Sequence, residues 1–185
     1  KMLDSLEVLL VEMHPADAYV LEALGNRRKA ENKLSEALEL YKKSLSLQPR
    51  NERLLEEVIV NFFETSTNYE EVAIYTRIGV EEFPESAEFW FYEGVLLSTQ
   101  KKDSLAVQAL ETALRLNAEK NPQLAQVAYS TLGNSLYQLG DQAGAFSNFD
   151  KALALNPNDE QVLNNYAYFL SLAKKDLPKA LEMAQ

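Results

Sequence analysis

The chain has 185 residues, 46% of them hydrophobic and 25% charged, with a formal net charge of −10. That charge argues against nucleic acid or anionic lipid as the main partner. The absence of cysteine removes disulfides, thiol catalysis and zinc–thiolate sites without locating the compartment.

Pro15, Pro49 and Pro84 fall 34 and 35 residues apart, and the chain between them repeats itself. Such a period predicts stacked helical hairpins, each stopped by a proline that lacks a backbone donor. Residues 1–17 are predicted to hold a second helix, Met2 to Met13, of a repeat whose first helix is absent. A full repeat follows over 18–51, with Leu21, Leu24 and Gly25 in its first helix and Ala37, Tyr41 and Ser44 in its second.

Segment 52–86 is a degenerate repeat. Leu55, Val58, Ile59 and Phe62 suit its first helix. Ile59 takes the place of the expected glycine, so the local crossing angle is predicted to open. The second helix, Tyr69 to Glu82, is displaced by one residue. The repeat over 87–120 carries Trp90, Gly94, Leu97, Ala106, Leu110 and Ala113.

An insertion, 121–125, precedes the next repeat. A longer first helix starting near Pro122 absorbs it, because proline suits the first helical turn. Repeat 126–159 has Tyr129, Leu132, Gly133, Leu136, Ala145, Phe149, Ala152 and Pro157. An incomplete final repeat, 160–185, begins with Leu163, Tyr166, Ala167 and Leu170, and Asp159-Glu160 reads as a helix start signal. The incomplete ends predict a piece of a longer repeat protein, one continuous solenoid over 1–185. Their uncovered apolar faces favour end-to-end self-association.

A glycine inside a helix costs about 1 kcal/mol against alanine, so its recurrence needs a packing reason. Gly25, Gly94 and Gly133, with Ala37, Ala106 and Ala145, let the paired helices approach closely. The residue types and spacings of these registers resemble the tetratricopeptide repeat, in its bacterial form. That resemblance implies an all-α, right-handed superhelical solenoid of antiparallel helix pairs, about five units and roughly 10–11 helices. In the family, first helices line a concave groove that binds peptides or helices.

Carried over, the groove positions fall on Tyr19, Glu22, Asn26 and Lys29 in the first full repeat. The next repeat offers Arg53, Glu56, Val60 and Phe63, and the third Glu88, Phe91, Val95 and Ser98. Val127, Ser130, Asn134 and Tyr137 follow, then Gln161, Asn164, Tyr168 and Ser171. Asn134, Asn164 and Gln161 are suited to hydrogen-bond a peptide backbone, since an amide side chain both donates and accepts. Phe91, Tyr137 and Tyr168 offer flat apolar contact, or else pack between first helices. The clamp that grips chaperone tails is not expected. Only Asn26 and Lys29 resemble it, and the adjoining repeat supplies Glu56 and Val60.

The expected function is therefore a non-catalytic protein–protein interaction scaffold, with no cofactor and no metal. The single histidine, His14, lies beside Pro15 in a turn, and the pairs Glu56-Glu57, Glu70-Glu71 and Glu81-Glu82 point apart on a helix. Residues 52–93 hold eleven acids against Arg53 and Arg77. They form either a solvated face or a patch that attracts a basic segment of a partner. The basic cluster Arg27-Arg28-Lys29 with Lys33 is read as solvated. No apolar stretch approaches the roughly 20 residues that span a bilayer, so no direct membrane insertion is expected. The stretch from Val162 to Leu170 resembles those near the ends of bacterial repeat proteins, which suggests a bacterial cytoplasm or envelope. An alternative is a regulatory or substrate-presenting arm of a larger enzyme or sensor.

Overall fold

A computed structural model describes Met13 and residues 17–65, 68–117 and 120–183. The helix expected over Met2 to Met13 lies outside the described residues except for Met13, as do His14 and Pro15. Among the described residues there are ten helices and no strand. They fall into two compact units.

The first unit, 1–83, contains α1 (Ala18–Ala30), α2 (Leu34–Leu47), α3 (Glu52–Thr65) and α4 (Tyr69–Glu82). The second, 84–185, contains α5 (Ala87–Thr99), α6 (Asp103–Asn117), α7 (Pro122–Gln138), α8 (Gln142–Leu155), α9 (Glu160–Leu172) and α10 (Leu177–Met183). Successive helices pack as hairpins, α1 on α2, α3 on α4, α5 on α6, α7 on α8 and α9 on α10.

Helix starts follow from short polar side chains that accept the orphan backbone donors of the first turn. Asp17 accepts from Tyr19 N at 2.9 Å, Asn121 from Leu124 N at 3.1 Å, Asp141 from Gly144 N at 2.9 Å and Asp159 from Val162 N at 2.9 Å. Each such cap contributes about 1 kcal/mol. Pro122 occupies the first turn of α7, which runs 17 residues.

Helix ends obey one rule at four hairpin turns. Asn32, Lys101, Gly140 and Lys174 occupy the same repeat position, and their φ values of 60°, 59°, 89° and 52° are left-handed. After each, the next amide reaches back five residues: Lys33 N to Arg28 O, Lys102 N to Leu97 O, Asp141 N to Leu136 O and Lys175 N to Leu170 O, at 2.9–3.0 Å. This pairing satisfies carbonyls that the helix end would otherwise leave unbonded. Only one of the four positions is a glycine.

The core of each hairpin is a small residue set against a large one. Tyr41, Leu110 and Phe149 are buried directly over Gly25, Gly94 and Gly133. Ser44 Oγ donates to the Ala18 carbonyl at 2.8 Å and ties the two ends of the first hairpin. In the degenerate repeat the pattern inverts. Ile59 is fully buried on α3, and the buried stripe of α4 is Val72, Thr76 and Gly79, one residue later than in its neighbours. Ile59 puts bulk on the first helix where α1, α5 and α7 have glycine, and small residues, Thr76 and Gly79, are buried on the second. α3 and α4 pack less extensively than the other long pairs.

Candidate functional site: the first-helix faces

In the first unit the groove residues of α1 and α3 are joined by charge. Glu22 accepts from Asn51 Nδ2 at 2.7 Å and pairs with Arg53, which fastens the start of α3 to α1. Lys29 reaches across to Glu57. Burial pushes the Glu57 carboxyl up, but hydrogen bonds from Lys29 and Asn61 and the charges of Lys29 and Arg53 hold it below its ordinary value. Between these two ion pairs lies a cavity of about 360 Å³. It brings together four predicted residues, Lys29, Arg53, Glu56 and Val60, with Leu34 and Asn61.

Tyr19 stands apart at 70% exposed. Asn26 accepts a hydrogen bond from the Tyr41 hydroxyl at 2.9 Å, so its side chain helps to hold its own hairpin.

In the second unit the aromatic residues divide. Tyr137 stacks on Phe169 with ring centroids 4.0 Å apart, inside a cluster with Phe149, Tyr166 and Leu170. Phe91 is half-buried against the cluster that includes Leu110, Leu124 and Leu132. Tyr168 projects, 59% exposed, with only the edge of its ring against Phe169. Asn134 on α7 is half-buried, whereas Gln161 and Asn164 on α9 are exposed. Among the described residues none of these three amide side chains makes a hydrogen bond. Gln126 Nε2 donates to Asp159 Oδ2 at 2.9 Å, so α7 and α9 are fastened much as α1 and α3 are.

The basic cluster at the first hairpin turn is ion-paired and not simply solvated, as the sequence suggested. Arg27, Arg28 and Lys33 converge on Glu31 at 3.2, 3.0 and 2.9 Å, and Arg28 also meets Glu36 at 3.2 Å. The hydrogen bond from Lys33, then those from Arg28 and Arg27, hold the Glu31 carboxyl down at about 2. Part of the acidic excess is likewise engaged, with Glu71 on Lys42 and Glu82 on Arg50. Sequence reasoning missed Glu57 and Asn61 because they sit one position beyond the family's groove register. Their spacing of four on a helix that begins with Arg53 was the available signal.

Among the described residues no group of three or more His, Cys, Asp or Glu side chains is placed to hold a metal ion. No described helix is long and apolar enough to cross a membrane.

The molecule is thus an all-α array of helical hairpins whose first helices carry polar and aromatic side chains. Residues 126–159 match a family model described as tetratricopeptide repeat, and residues 148–182 match a second model of the same description. Residues 126–182 are thus matched as tetratricopeptide repeat, and the described helices as a whole share the fold of such arrays. MamA from Desulfovibrio magneticus RS-1 shares the fold with a TM-score of 0.75 at 17% identity, over 90% of each chain. YrrB, described as a tetratricopeptide repeat protein with an unusual peptide-binding site, gives a TM-score of 0.71 at 21% identity, over 96% of this chain and 88% of its own. The Protein O-mannosyl-transferase TMTC1 of Homo sapiens is 26% identical over 148 residues. The match takes in 80% of this chain but only 17% of that protein.

Proposed function

We propose that this chain is a non-catalytic protein–protein interaction scaffold that receives a polypeptide segment of a partner on its first-helix faces. In this reading the repeats are bounded at 18–51, 52–86, 87–120 and 126–159, with 121–125 an insertion and 1–17 and 160–185 partial repeats.

One observation carries the reading. Gln161 and Asn164 are exposed, Tyr168 projects beside them, and neither amide makes a hydrogen bond among the described residues. An unpaired amide matches the alternating donors and acceptors of an extended backbone, and an exposed tyrosine supplies contact area at low entropy cost. The cavity between Lys29, Arg53 and Glu56 supplies a mixed-charge site in the first unit. The acidic excess of 52–93, eleven acids against Arg53 and Arg77, suits a partner segment with basic residues. The peptide-binding site reported for YrrB supports the same kind of ligand.

A second reading rests on the match to a stretch of the mannosyltransferase TMTC1, in which such repeats form part of a larger enzyme. There the same faces would present a substrate or regulate a catalytic domain.

Affinity capture from native lysate tests the proposal, with wild type and Asn164→Ala/Tyr168→Ala run side by side. A partner retained by the wild type and lost by the folded variant supports a first-helix site. Equal recovery of every partner would remove α9 from the argument.

A further inference from the structure

The second helices α6 and α8 and the first turns of α7 line a cleft of about 770 Å³. Its walls include Leu114, Pro122, Ala125, Tyr129, Lys151 and Leu155. The volume lies in the range of ligand pockets, roughly 300–1,000 Å³. Pro122 and Ala125 line the cleft with small side chains. Leu155 remains 46% exposed at its edge.

The only charged side chain among the lining residues is Lys151. Its ammonium stands 5.3 Å from the centroid of the Tyr129 ring. It makes no ion pair with a carboxylate among the described residues, and its neighbour Asp150 is taken by Lys179 at 2.9 Å. Arg115, next to Leu114, and Lys120, in the turn leading to α7, are likewise without a carboxylate partner among the described residues. In a chain of net charge −10, whose first-unit cations are mostly paired, an apolar cleft whose one charged lining residue is Lys151, with no carboxylate partner among the described residues, is a local inversion of charge. Charge complementarity selects an acidic occupant, and the apolar walls require it to carry an apolar anchor.

We propose that this cleft docks an acidic polypeptide segment, which inserts one apolar side chain between Tyr129 and Leu155 and sets a flanking carboxylate on Lys151. On α7 the cleft uses Pro122, Ala125 and Tyr129 and none of the groove residues, so a scaffold with both sites would hold two segments at once.

The test is a nuclear magnetic resonance titration of the full chain with acetyl-Asp-Phe-Glu-Leu-Asp-amide and with its uncharged counterpart, acetyl-Asn-Phe-Gln-Leu-Asn-amide. The acidic peptide is expected to saturate, with shifts centred on Ala125, Tyr129, Ala154 and Leu155, and the uncharged one to bind about tenfold more weakly. Lys151→Glu should abolish saturation. Lys151→Met, which keeps the aliphatic stem over Tyr129, should weaken the acidic peptide about tenfold and leave the uncharged one unchanged. Equal affinity for the two peptides, no saturation by either, or shifts confined to the groove residues such as Gln161, Asn164 and Tyr168 would overturn the proposal. Sedimentation of the protein alone completes the test. Concentration-dependent association that Lys151→Glu removes would make a second copy the occupant and overturn the assignment to a partner.

Discussion

Gly133 and Phe149 are a matched pair: a methyl group added at Gly133 would lie 2.9 Å from the edge of the Phe149 ring. The same relation holds for Gly94 with Leu110, where the added carbon would come within 2.6 Å, and for Gly25 with Tyr41. Each glycine lets a large side chain from the second helix lie flat on the backbone of the first. Gly133→Leu is therefore expected to lower stability by roughly 1–3 kcal/mol, because a packed interior has no room for the added carbons. Urea unfolding monitored by circular dichroism checks it, and an unchanged midpoint would contradict the pairing.

Gly140 behaves differently, since nothing lies within 4 Å of a carbon added there but its φ is +89°. Gly140→Ala should destabilise through backbone strain of about 1 kcal/mol, without any loss of space. The reciprocal change is Lys101→Gly, at a left-handed position where a lysine now sits. It is expected to raise stability by a few tenths to about 1 kcal/mol, read from the shift in the unfolding midpoint.

The repeat frame was legible because it rests on residue types with steric consequences. Proline stops, paired glycines and small residues at fixed spacing all recur at the same places in the structure. The one-residue displacement in the second hairpin was also legible, and burial of Thr76 and Gly79 bears it out. The left-handed turn positions were not. Asn32, Lys101 and Lys174 share a conformation that only Gly140 announces in the sequence. Nor did the sequence separate Tyr137 from Tyr168. Both occupy family groove positions, but the ring of Phe169 takes up one face of Tyr137 and only touches the edge of Tyr168.

That difference is measurable. Tyr137→Ala should cost roughly 2–3 kcal/mol, less than a fully buried aromatic because the ring is only half-buried. Tyr168→Ala should stay within about 0.5 kcal/mol of wild type. Thermal melts of the two variants provide the comparison. Equal losses would mean that Tyr168 packs as part of the core.

Acid stability carries a signature of the first hairpin turn. The Glu31 carboxyl is held at about 2 by Lys33, Arg28 and Arg27, against an ordinary value of 4.5. A depressed folded-state value means that the contribution of Glu31 is present in full above the ordinary value and is lost as pH falls toward 2. Glu31→Gln should therefore lower stability near neutrality and flatten its decline between pH 4.5 and 2. The side chain is solvent-exposed, so salt should diminish the effect. Parallel wild-type and variant curves across that range would contradict the assignment.

The central claim is that a partner polypeptide lies along first helices beside Tyr168 and Asn164. A photoreactive phenylalanine at position 168, activated in native lysate and followed by mass spectrometry of the adducts, tests it most directly. The account predicts adducts to one or a few polypeptide segments, which disappear when Gln161→Ala and Asn164→Ala are added. Adducts that persist undiminished in that variant, or no polypeptide adduct at position 168 while a control probe at Leu105 gives one, would contradict it.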